Sequence, residues 1–136
     1  FSRTHWLDQQ WIQPIEGRIS GVFGSQRILN GIAKNPHNGV DIAAAEGTNI
    51  IAPLTGRVAL VHEDMFYTGK TVMLDHGLGV TSVYAHMQHI EVTEGQVVKQ
   101  GQVLGQVGQT GRATGPHLHW GVTWKKTHVD PQLLVD

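Results

Sequence analysis

His37 and Asp41 stand four residues apart in Pro36-His37-Asn38-Gly39-Val40-Asp41-Ile42, and His117 and His119 stand two apart around Leu118. Pro36 and Gly39 argue against a helix, because proline lacks a backbone donor and glycine loses much conformational freedom on ordering. In an extended chain side chains alternate, so an even spacing puts both members of each pair on one face. Val40, Ile42 and Leu118 then point the other way, toward a core. The same alternation over Ser82-Val83-Tyr84-Ala85-His86 sends Tyr84 and His86 to one side and Val83 and Ala85 to the other. His86 is thereby predicted to face a pocket as a fifth candidate.

Imidazoles and a carboxylate gathered in this way are metal ligands. The chain has nine histidines and no cysteine, so a thiolate site is excluded and a metal must be held through nitrogen and oxygen. Two His and one carboxylate, with a fourth position open to water, is a recurrent donor set of catalytic zinc. Zinc held so lowers the pKa of its water to about 7 and polarises a carbonyl, which suits amide hydrolysis. The helical His-Glu-x-x-His pattern, with glutamate as base, is absent. Imidazole can do that work because its ordinary pKa of about 6.5 lies near neutrality, and His86 and His117 fit the role. His5, His62, His76, His89 and His128 are read as ordinary surface or core residues. His76 stands apart from these in following Asp75 just before a glycine turn.

Positioning such a cluster requires short strands and tight turns, and seventeen glycines supply the turns. Runs at 18–23, 39–43, 56–62, 71–75, 80–86, 96–98, 103–107 and 118–122 are each of strand length between turn residues. They predict a mainly β chain, an antiparallel sheet or sandwich with little helix. A capped turn is predicted at 130–134, where Pro131 follows a capping Asp130, and one turn or short helix within 1–13. Gly-Gln-Val recurs at Gly95, Gly101 and Gly105 and reads as β scaffold without chemistry. A length of 136 residues fits one domain, predicted as 17–136 with residues 1–16 as an extension packing on it through Trp6 and Trp11. The chain starts at Phe1 with no signal region after it, and is expected to be a processed or excised piece. An apolar content of 40% with 15% charge is that of a soluble globular protein, and no run approaches the roughly 20 apolar residues of a membrane span. A net charge of −1 offers no basic surface for nucleic acid.

From about 17 to 122 the chain resembles the lysostaphin-like (LytM-type) zinc metallopeptidases, which cleave peptide cross-links in peptidoglycan. The resemblance rests on His37-Asn38-Gly39-Val40-Asp41-Ile42, Gly47-Thr48 with Ala52-Pro53 and Gly56, Asp75-His76-Gly77-Leu78-Gly79, Tyr84-Ala85-His86-Met87, and Thr110-Gly111 through Gly115-Pro116-His117-Leu118-His119. It implies one zinc ion held by His37, Asp41 and His119, and His86 and His117 as the catalytic pair, without saying which of the two is the base. It further implies a groove walled by loops above the metal. Phe23-Gly24-Ser25-Gln26-Arg27, Asn30-Gly31 and Lys34 are similar to Gram-negative members, whose substrates are D-alanyl to meso-diaminopimelate cross-links. Arg27, Asn30 and Tyr84 are the substrate contacts so implied, with a surface ion pair as the alternative for Arg27. The resemblance points to a periplasmic, envelope or secreted monomer whose partners are peptidoglycan stem peptides.

Three other readings stand beside this one. A relative that has lost activity and serves as an activator of wall hydrolases is opposed by all five positions being filled. Cleavage of glycyl-glycine bridges would use the same centre. A lipoyl or biotinyl carrier is suggested by the glycine-spaced strands at 47–56 and 95–105, but Lys70, after Gly69, lacks the setting of a modifiable lysine.

Overall fold

The computed structural model describes residues 10–21, 28–29, 32–33, 39–65, 68–110, 115–125 and 127–135. Its strands are β1 (Arg18–Gly21), β2 (Ile28–Leu29), β3 (Ile32–Ala33), β4 (Val40–Ala43), β5 (Asn49–Ile51), β6 (Gly56–Met65), β7 (Gly69–Gly77), β8 (Val80–Ile90), β9 (Val97–Val98), β10 (Val103–Val107), β11 (His117–Trp124) and β12 (Thr127–Val129). Among the described residues β2 and β3 pair only with each other, and the rest form one antiparallel sheet in the order β1-β4-β11-β8-β7-β6-β9. β12 adds to β11, and β10 joins β8 to β5. A 3₁₀ turn at Pro131–Leu134 is capped by Asp130, whose carboxylate accepts from the Gln132 amide, as the Asp-Pro signal predicts.

The mainly β, antiparallel expectation is met, and the predicted runs coincide with β1, β4, β6 to β11 to within a few residues. β2, β3, β5 and β12 lie outside the predicted runs; at two or three residues each they are too short to show alternation, and β5 and β12 exist because longer neighbours offer them an edge. The Gly-Gln-Val repeat is not a structural repeat. Gly95 and Gly101 turn the chain at φ 90° and 88°, whereas Gly105 lies within β10, where a Cβ would meet the His89 carbonyl oxygen at 2.1 Å.

The sheet has a core face and a site face, sorted by parity. Val40 and Ile42 of β4, Leu118, Trp120 and Val122 of β11, Val72 and Leu74 of β7, and Tyr84 of β8 are all buried. Fully burying an aliphatic or aromatic side chain contributes about 1.5–3 kcal/mol, so this face is what orders the strands. Trp11 packs on it, its ring 5.1 Å from that of His76 and 6.5 Å from that of Trp120. The chain around Trp11 is tied down by a bond from the Ile12 amide to the Pro53 carbonyl and a bridge from Trp11 to Val135.

A polar chain runs through this apolar layer. His76 is 0% exposed; its Nδ1 lies 2.9 Å from the Thr55 carbonyl oxygen and its Nε2 2.8 Å from Ser82 Oγ, which is 2.7 Å from the Tyr84 hydroxyl. A carbonyl oxygen only accepts, so Nδ1 carries the proton of the neutral ring. Nε2 then accepts from Ser82, and Ser82 accepts from Tyr84, giving one direction to the whole chain. Gly56 makes room for it, since a Cβ there would stand 2.7 Å from His76 Nδ1.

Burial pushes the His76 imidazole below its ordinary value, against the opposing influence of the Thr55 bond and of Asp75. The folded protein therefore binds this proton less readily than the unfolded chain, whose histidine titrates near about 6.5. The stability it confers is complete above that pH and is lost as pH falls toward the folded-state value. Urea unfolding at pH 7 and pH 5 is expected to give a lower midpoint at pH 5. His76→Leu is expected to flatten that difference and to cost about 2–4 kcal/mol at pH 7, by stranding the Thr55 and Ser82 partners.

Candidate active site

β4 and β11 are hydrogen-bonded in a register that sets Asp41 opposite His119 and Ile42 opposite Leu118. Directly opposed residues on one face have Cβ atoms about 4.5–5.5 Å apart, and here His119 Nδ1 reaches Asp41 Oδ1 at 2.9 Å. His117, one pleat along, brings its Nε2 to 3.9 Å from the same oxygen. Its Nδ1 lies 2.9 Å from the Gly115 carbonyl oxygen, which fixes the neutral tautomer and leaves the Nε2 lone pair directed at the site. All three side chains are partly exposed.

Gly39, just before β4, is required by this packing. A Cβ there would fall 2.6 Å from the Trp120 carbonyl oxygen and 2.9 Å from both Cε1 and Nε2 of His119. The carbonyl belongs to the ladder and cannot retreat, so the ring of His119 lies directly on the bare glycine backbone.

His86 joins the cluster by a different route from the one that alternation predicts. Strand β8 pairs with β11 as far as Ala85, opposite His119, and then with β10 from Met87, opposite Val107. His86 is the corner between, with φ 62°, a conformation that L-residues rarely adopt. Its amide donates to the Thr68 carbonyl at 2.7 Å, and its carbonyl accepts from the Gly108 amide at 3.1 Å. The corner turns the imidazole away from the core side that its parity dictates and onto the site face, 4.7 Å from the His117 ring between centroids. The prediction that Tyr84 and His86 share a face is therefore corrected: Tyr84 keeps to the core, 0% exposed and bonded to Ser82, and does not reach a substrate.

Thr110 holds the corner. Its carbonyl oxygen is 2.7 Å from His86 Nδ1, its hydroxyl donates to the Met87 carbonyl at 2.7 Å, and the Lys70 amide donates to that hydroxyl at 3.0 Å. Because the Thr110 carbonyl only accepts, Nδ1 is the protonated nitrogen of neutral His86, and Nε2 is a proton acceptor. Burial holds the His86 imidazole below its ordinary value, opposed by the Thr110 bond and by the Asp41 carboxylate and reinforced by the neighbouring His117 and His119, which favours the neutral ring at pH 7. Sequence reasoning assigned Thr110 no role at the site, since a backbone carbonyl acts here and no side-chain type announces it.

The structure thus brings together Asp41, His86, His117 and His119. His37, Arg27 and Asn30 lie outside the described residues. Among the described residues no group of three or more His, Asp or Glu stands ready to hold a metal. The facing donors of Asp41 and His119 nevertheless fit zinc: their 2.9 Å separation is close to the roughly 3.3 Å edge of a tetrahedron with metal-ligand distances of about 2.0–2.2 Å. Lys70 lies within β7, its ammonium 3.0 Å from Glu63, and is not at a hairpin tip.

The antiparallel sheet thus gathers three imidazoles and a carboxylate on one face, a donor set suited to metal-assisted hydrolysis. The model of peptidase family M23 matches residues 35–131, and the chain belongs to that family. It is 38% identical over 116 residues to the peptidoglycan DD-endopeptidase ShyA of Vibrio cholerae, covering 84% of this chain and 25% of that protein. Among solved structures it is similar to a peptidase M23 of Pseudomonas aeruginosa, with a TM-score of 0.85, 41% identity and coverage of 99% of this chain and 54% of that one. It is also similar to a zinc-containing peptidase of Vibrio cholerae, with a TM-score of 0.84, 32% identity and coverage of 91% and 40%. The chain spans about a quarter of the length of the curated relatives it matches. Within the described residues no helix is long and apolar enough to cross a membrane.

Gly39→Ala is expected to push the His119 ring off Asp41 and to destabilise the fold by about 1–3 kcal/mol. Thermal unfolding, together with the imidazole nitrogen shifts of His119 by NMR, checks both effects.

Proposed function

We propose that the protein is a zinc metalloendopeptidase of the cell envelope that hydrolyses peptidoglycan cross-links, at the D-alanyl to meso-diaminopimelate bond. The observation that carries the reading is the convergence, on one sheet face, of the opposed Asp41–His119 pair with the paired rings of His86 and His117. Asp41 and His119, with His37, are assigned as the holders of one zinc ion, in keeping with the donor separation and with the zinc-containing relative. Bound there, zinc supplies a Lewis acid for the peptide carbonyl and an acidified water. The bond specificity follows the DD-endopeptidase relative and the Gram-negative-like motif at 23–34, in which Arg27 and Asn30 remain the proposed substrate contacts.

The chain's own groups then divide the proton work. His86 and His117 each donate from Nδ1 to a backbone carbonyl and turn Nε2 to the site. One takes a proton at Nε2 as the carbon–oxygen bond forms, and that proton, kept on the same ring or relayed to the Nε2 of the other, then hydrogen-bonds the tetrahedral oxygen or passes to the departing amine. His86, held neutral by burial, enters the cycle ready to accept. The 4.7 Å spacing of the rings lets the pair share one charge and opposes two.

His86→Ala is expected to lower turnover of cross-linked muropeptides by at least about 10²-fold with zinc retained near one equivalent, whereas His119→Ala is expected to lose the metal. Mass spectrometry of the products, with and without a chelator, reads activity and cut bond together, and zinc analysis reads the metal. Thr110→Val deletes the hydroxyl that ties Met87 and Lys70 while keeping the shape of the side chain. It is expected to reduce kcat several-fold with KM and zinc content unchanged, and Thr110→Ser is expected to restore kcat.

A further inference from the structure

The sheet continues beyond the histidine cluster, and its face there is unlike an ordinary solvated sheet. A cavity of about 240 Å³ runs along β8 and β11, lined at one end by His119 and Ala85, along its floor by Val83, Gly121 and Met73, and at the far end by Thr81, Thr123 and His128. The register places these in rows, with His119 opposite Ala85, Gly121 opposite Val83, Thr123 opposite Thr81, and His128 opposite Thr123 on the next strand. The solvent face of an antiparallel sheet is commonly polar, yet this floor is mainly apolar, with Thr68 and Ser82 as its further polar lining.

We infer that this face is a peptide subsite, and that Thr81, Thr123 and His128 at its far end bind a carboxylate of the substrate. The inference rests on the endopeptidase reading and deepens it. The floor has the right length: from His119 to Thr123 is four residues of strand, about 13 Å at roughly 3.3 Å per residue. An extended peptide rises by the same step, so about four residues on one side of the cut bond lie along it. Ala85 and Gly121, immediately beside His119, keep side-chain bulk off the floor nearest the metal ligands and admit a residue as small as alanine. The far end differs in chemistry. The Thr81 and Thr123 hydroxyls are hydrogen-bonded to each other, which uses one of their two protons and leaves the other to donate outward. His128 is exposed and adds a ring N–H from the adjacent strand. Donors converging at the end of an apolar trough suit an anionic oxygen, and a stem peptide containing diaminopimelate carries carboxylates.

The test uses the zinc-loaded protein and two defined cross-linked stem peptides, one with free carboxylates and one with carboxamides in their place. Wild-type protein is expected to cleave the carboxylate form with a KM about tenfold lower, the size of one charge-assisted hydrogen bond. The double variant Thr81→Val with Thr123→Val, and separately His128→Ala, are expected to raise KM for the carboxylate peptide alone, leaving kcat within about twofold and the carboxamide peptide unaffected. Valine matches threonine in shape, and His128 is exposed, so circular dichroism is expected to show both variants folded. Equal effects on the two peptides, or no change in KM, overturn the subsite while the endopeptidase reading stands. Failure of the wild-type protein to cleave either peptide overturns both.

Discussion

The backbone register between β4 and β11 is the constraint from which the rest of the centre follows. A one-residue slip would move Asp41 out of line with His119 and, because strand side chains alternate, would also exchange the core and site faces of one strand. The slip is opposed by the core side. Ile42 and Leu118, opposed in the same ladder and wholly buried, would have to trade places with a carboxylate and an imidazole. The apolar contacts on one face thus position the polar contacts on the other, and the site needs no separate scaffold.

The same economy holds for β8, which serves two partners in sequence. Its first half completes the floor beside β11, and its second half pairs with β10. The change of partner demands a corner, and the corner carries His86. Beneath it, the directed chain from Tyr84 through Ser82 and His76 to Thr55 ties β8 to β7 and to the loop before β6. Buried polar groups that are fully satisfied specify one arrangement more strictly than apolar contacts do, and this chain lies directly under the strand that must hold its bend.

What the sequence reveals about the site divides along the same line. Asp41, His117 and His119 are legible because they lie on regular strands, where even spacing means a shared face. The alternation of Val40 and Ile42 with Asp41 confirms the face on which the core lies. His86 is legible as a candidate, but its neighbour Tyr84 misleads, since parity assigns the two to one side and only a left-handed backbone at residue 86 separates them. The part played by Thr110 is not legible, although the family resemblance includes the residue, because a carbonyl oxygen has no residue type. The short strands β5 and β12 escape because they owe their existence to an available edge rather than to a pattern of their own. His76, marked by its place before a glycine turn, proves to belong to the core.

The corner at His86 also sets stability and function against each other. A β-carbon at φ 62° costs roughly 1–2 kcal/mol relative to glycine, a strain that the bond from the ring to Thr110 and its packing against His117 help to offset. Histidine thus stands at a backbone conformation that glycine adopts more readily.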